Sequence, residues 1–146
     1  DGNMTDYEHI EKRILEIAKE YDVRSISFDP FQATYLQTRI AKNEALASKL
    51  VSFQMNRQNL SDPMNELEGR VANGQYWHSN NSCLTWMVGN TKNLINGGGQ
   101  SYPLKESKDK KCHIDGSVTA IMGVARWLAD DEKEQPYNNE RGFRTL

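Results

Sequence analysis

The chain lacks the features that would assign it to several broad classes. Two cysteines in 146 residues, Cys83 and Cys112, have neither the density of a disulfide framework nor the spacing of a thiolate metal site. They read as incidental reduced thiols, the state a cytosolic compartment maintains. There is no basic, apolar, small-residue leader. The longest apolar stretch, residues 120–129, is broken by Arg126 and falls far short of the roughly 20 residues a membrane span needs. The expectation is a soluble protein with no membrane partner. Charge of one sign is not in excess either: 18 Lys and Arg stand against 20 Asp and Glu, a net charge of -2. No global positive field exists, so any contact with nucleic acid must be local. The triple glycine at 97–99 opens no G-x-x-x-x-G-K-[ST] motif, which argues against ATP hydrolysis, and no nucleophile elbow supports acyl transfer. His9, His78 and His113 show no metal-ligand spacing. Trp77, Trp86 and Trp127 lack interleaved basic residues and fit packing better than base stacking.

What remains is ordinary globular usage, 37% hydrophobic and 26% charged, enough for one core in one domain. Thr5 and Glu8 have capping-box spacing, and Tyr7, Ile10, Ile14, Ile17 and Tyr21 recur at helical intervals, predicting a helix over residues 6–20. A strand over 23–28 should stop at Asp29, because Pro30 cannot donate to a ladder. A second helix over 31–43 and a buried strand over 49–53 follow. This alternation implies an α/β unit with parallel strands joined by right-handed crossovers. Ser61 with Pro63 reads as the start of a third helix, closed by Asn73 and Gly74. Weaker signals suggest a brief strand at 76–78, an apolar helical turn at 82–88 and a strand near 92–95. Residues 100–111 read as a loop after the glycine tip. Val118, Ile121, Met122, Ala125, Leu128 and Ala129 mark a last helix starting at Asp115. Residues 131–146, acidic and polar, read as a disordered tail.

Two carboxylates stand out by position. Asp29 ends a predicted parallel strand, and open α/β sheets hold ligands beyond the carboxyl ends of their strands. Asp115 opens the final helix, where the positive helix end favours an ionised carboxylate and so a hard-cation ligand. Facing acids repel unless a divalent cation lies between them, an arrangement suited to phosphodiester cleavage. Strand punctuation and helix capping explain the same residues more plainly. The loop before Asp115 carries Lys105, Lys108, Lys110, Lys111 and His113, candidates for neutralising phosphate; a solvated loop is the bland alternative.

The segment Ile26-Ser27-Phe28-Asp29-Pro30-Phe31, then Phe53-Gln54, then Leu60-Ser61-Asp62-Pro63-Met64, then His78 with Asn80 or Asn81, then Leu84-Thr85-Trp86-Met87-Val88-Gly89-Asn90 and finally His113-Ile114-Asp115-Gly116-Ser117-Val118 run in one order. Together they resemble the C-terminal nuclease domain of terminase large subunits of the HK97-like phages and prophages. The resemblance implies a ribonuclease-H-like nuclease fold over residues 1–130. It also implies an acidic cluster binding two Mg or Mn ions, with Asp29 and Asp115 as catalytic metal ligands. Lys108, Lys110, Lys111 and His113 are its DNA-phosphate candidates. The implied activity is endonucleolytic cutting of concatemeric double-stranded DNA in the bacterial host cytoplasm. Implied partners are a terminase ATPase domain, a small terminase subunit and the portal.

The resemblance has departures. The family's first catalytic aspartate belongs to strands upstream of Asp1, so the domain is expected to lack its N-terminal strands and to bind metal weakly alone. His113 stands where lysine is usual. A non-catalytic fragment docking on the portal or another packaging protein is the alternative. A small Rossmann-like regulatory domain is disfavoured, because no glycine fingerprint follows a strand.

Overall fold

The computed structural model describes residues 5–31, 33–109 and 111–134, with the side chains of 131–134 excepted. These residues divide into two compact α/β units, parted between Met55 and Asn56.

In the first unit, α1 (Tyr7–Glu20) is capped by Asp6, whose Oδ1 accepts from the N–H groups of Glu8 at 3.0 Å and His9 at 3.1 Å. The cap is therefore Asp6 rather than Thr5: the carboxylate one residue on satisfies two orphan donors of the first turn. No residue of α1 is buried. It meets α2 (Thr34–Ile40) through polar and aromatic groups. Arg39 pairs with Glu11, lies 3.6 Å from Glu8 and donates to the Tyr35 hydroxyl at 3.1 Å. Tyr7 meets Tyr35 edge-on, with ring centroids 5.1 Å apart. Hydrogen bonding to Glu11 first, and to Tyr35 second, holds the Arg39 guanidinium protonated even more firmly than usual.

β1 (Ile26–Phe28) and β2 (Leu50–Ser52) pair in parallel, with Ile26 opposite Leu50 and Phe28 opposite Ser52. The parallel pairing matches the sequence reading. β1 is shorter than the predicted 23–28 because its partner offers only three residues to pair. The predicted helix over 31–43 is observed as the shorter α2, and a separate turn, α3 (Glu44–Ala47), follows it, started by Asn43, which accepts from the Ala45 N–H at 3.1 Å. Ile40, Leu46 and Phe53 are buried and form the small core of this unit.

The second unit begins with α4 (Arg57–Ala72), capped by Asn56, which accepts from the Asn59 N–H at 2.9 Å. The predicted start at Ser61 and Pro63 is corrected: Pro63 lies inside the helix. Its missing N–H costs one ladder bond, while its ring is buried beside the fully buried Leu60. Gly74, at φ 66°, takes the left-handed position after the helix, as its sequence context predicts. Residues 76–78 form no strand. α5 (Ser82–Gly89), capped by Asn81, leads into β3 (Thr91–Asn93). β3 pairs antiparallel with β4 (Pro103–Lys105), a strand inside the stretch read as loop. Gly99, at φ 77°, makes the turn between them.

Arg57 ties this hairpin to α4 by donating to the carbonyls of Leu94 at 2.8 Å and Gln100 at 3.1 Å. Its guanidinium lies over Tyr102. The last helix, α6 (Asp115–Glu134), packs along α4, burying Ile121, Met122 and Val124. Arg70 stacks on Trp127, 4.1 Å from its ring centre. α6 continues past Asp130, where the sequence reading placed the start of a disordered tail. Residues 135–146 lie outside the described residues.

Candidate metal-binding acids

Asp115 is the first residue of α6, and its side chain is 80% exposed, with Oδ2 3.6 Å from Nδ1 of His113. A carboxylate there lies at the positive end of the helix dipole. The backbone beneath it is tightly held. Asn90, the C-cap of α5, donates from its side-chain amide to the His113 carbonyl at 3.2 Å. The Asn90 carbonyl accepts from the Glu106 N–H at 2.8 Å, and the buried Cys112 thiol points at it from 3.9 Å. The Gly116 N–H donates to Met87 Sδ at 3.0 Å. Thr91 donates its hydroxyl proton to the Met87 carbonyl at 2.8 Å, and the buried Ser117 hydroxyl, 2.8 Å from it, can donate in turn. Trp86 flanks His113 with ring centroids 6.0 Å apart.

Asp29, in the first unit, follows the last residue of β1 and is half-buried. Its Oδ1 accepts from the Phe31 N–H at 3.0 Å, and its carbonyl accepts from the Ala33 N–H at 3.2 Å. The turn this makes fixes the acid at the carboxyl end of a parallel strand, the position its sequence context predicts. Ser52 ends the neighbouring strand, and the N–H of Phe53, the next residue, closes onto the Phe28 carbonyl at 2.9 Å.

His113 and Asp115 are thus brought together. Lys108 and Lys111 are exposed on the same loop, whose turn is set by Asp109: its Oδ1 accepts from the Lys111 N–H at 3.0 Å and its carbonyl from the Cys112 N–H at 3.0 Å. Lys110 lies outside the described residues. Elsewhere in this unit Lys92 lies 3.4 Å from Glu106, and Arg57 donates to the hairpin carbonyls.

Among the described residues no three or more His, Cys, Asp or Glu side chains gather around one point. Hard, exposed carboxylate oxygens nonetheless suit Mg or Mn, which are commonly held through one or two carboxylates with water and substrate phosphate completing the sphere. Asp29 and Asp115 each offer that donor type.

The model for the terminase large subunit, endonuclease domain, matches residues 1–132. The chain belongs to that endonuclease-domain family. The chain is 32% identical over 150 residues to Protein YmfN of Escherichia coli (strain K12), a match covering all of this chain and 32% of YmfN. The crystal structure of the HK97 bacteriophage large terminase matches with a TM-score of 0.70 and 25% identity, over 86% of this chain and 26% of that one. The terminase chain therefore spans about a third of its curated relative. The α/β class read from the sequence agrees with both the architecture and this structural likeness.

The contacts that hold the terminase segment around Asp115 were not legible as contacts. Asn90, Met87 and Gly116 fall inside the motifs that carry the resemblance. Nothing in their spacing says that an amide 23 positions away bonds the carbonyl of His113.

Proposed function

We propose that this chain is a metal-dependent DNA endonuclease domain of a genome-packaging terminase, with Asp29 and Asp115 as its ligands for Mg or Mn. The observation that carries the reading is Asp115: an exposed carboxylate at a helix start, on a backbone pinned from three sides, inside the chain's family match. Asp29 and Asp115 would hold a divalent ion, which would lower the pKa of bound water and stabilise charge developing on a phosphodiester. Asp29 contributes a carboxylate whose direction is fixed by its turn. Lys108, Lys110, Lys111 and His113 neutralise phosphate next to the cut, which gives affinity without sequence preference.

The substrate is concatemeric double-stranded DNA, in the cytoplasm of a bacterial host. The partners are the terminase ATPase domain, the small terminase subunit and the portal. The fold of this reading is ribonuclease-H-like, with two metal ions.

The test is cleavage of supercoiled plasmid with Mn. Wild type converts it to nicked and linear forms, and Asp115→Ala or Asp29→Ala lowers the rate by about a hundredfold, at or beyond the upper end for loss of a supporting contact. Cleavage undiminished in Asp115→Ala removes the assignment.

A further inference from the structure

The junction between α5 and β3 does more than connect them. Asn90 closes α5 with its own N–H bonded toward the Trp86 and Met87 carbonyls, and accepts from Glu106 on the strand side. Its side chain is left to reach across to the His113 carbonyl, two residues before Asp115. On the far side of that acid, Gly116 approaches α5 so closely that a Cβ there would lie 2.8 Å from Met87 Sδ and 3.0 Å from Leu84 Cδ1. Ser117 is joined to Thr91, the residue next to Asn90. The backbone flanking Asp115 is therefore gripped on both sides by one short segment, while its carboxylate projects into solvent.

We propose that Asn90 is a positioning residue for Asp115: its amide fixes the loop that aims the carboxylate, and so sets the affinity of this acid for a divalent cation. The proposal rests on Asp115 being a metal ligand. A loop carbonyl without its donor gains freedom to rotate, and with it the helix start that follows. Groups that orient a ligand from behind typically carry 10–100-fold of the affinity.

The experiment is a Mn titration of the isotopically labelled full chain, read from paramagnetic broadening of backbone amide signals. Amide exchange is measured on the same samples without metal. In wild type the amides of His113 to Gly116 broaden first. Asn90→Ala raises the Mn concentration for half-effect by about tenfold and speeds metal-free exchange at those amides. Asn90→Gln, which keeps an amide donor, recovers part of the affinity. Val124→Ala, a truncation on the buried face of the same helix, leaves the Mn response at its wild-type value.

Asn90→Ala binding Mn like wild type while Asp115→Ala is impaired overturns the role of Asn90 and leaves Asp115 as ligand. Equal losses in Asn90→Ala and Val124→Ala overturn it too, by reducing it to general destabilisation. Asp115→Ala responding like wild type, or no broadening at these amides in wild type, overturns the ligand itself and the proposal with it.

Discussion

At the residue, the balance at Gly116 separates geometry from stability. A methyl group there presses on Met87 Sδ and Leu84 Cδ1, an overpacking of about 1 kcal/mol since both belong to movable side chains. Alanine recovers about 0.5–1 kcal/mol of helix preference over glycine. Gly116→Ala should therefore leave the thermal midpoint nearly unchanged while displacing the start of α6, seen as weaker Mn binding; a large fall in midpoint with normal Mn binding would contradict this. Lys108→Ala and Lys111→Ala should each lower the slope of log affinity for DNA against log salt by about one, whatever the DNA sequence. A filter-binding series at several salt concentrations checks it, and an unchanged slope returns these lysines to a solvated loop. Asp29 and Asp115 were readable from sequence because their positions are local facts: a strand stopped by Pro30, and the start of a strongly periodic helix. Asn90 was not, because its role depends on a partner brought close only by folding.

At the level of elements, legibility followed length. α1 and α6 announce themselves through many apolar residues at one spacing, and β1 and β2 through short β-rich runs with clear stops. β4 escaped notice because Pro103 begins it and only pairing with β3 makes it a strand. The start of α4 was misplaced because proline usually marks a first turn, whereas here Asn56 supplies the cap six residues before Asp62. Asn56→Ala should cost about 1 kcal/mol through loss of that cap, and Leu60→Ala, at a side chain with 0% exposure, about 2–5 kcal/mol. Denaturant unfolding of both variants checks the order. Equal losses would mean that the Asn56 cap holds the start of α4 as firmly as the buried Leu60 side chain does.

For the molecule as a whole, two compact α/β units carry one candidate acid each, Asp29 in the first and Asp115 in the second. The described helices include none long and apolar enough to cross a membrane. The family match runs through both units, from residue 1 to residue 132. Fold class and family were legible because six short motifs keep their order along the chain, a property that survives at low identity. The ligand geometry was not, since it is set by side-chain direction. The most direct measurement is anomalous diffraction from a crystal of this chain soaked in Mn. Manganese is expected about 2.1 Å from a carboxylate oxygen of Asp115. Manganese bound only elsewhere, with the Asp115 carboxylate contacting water alone, would contradict it.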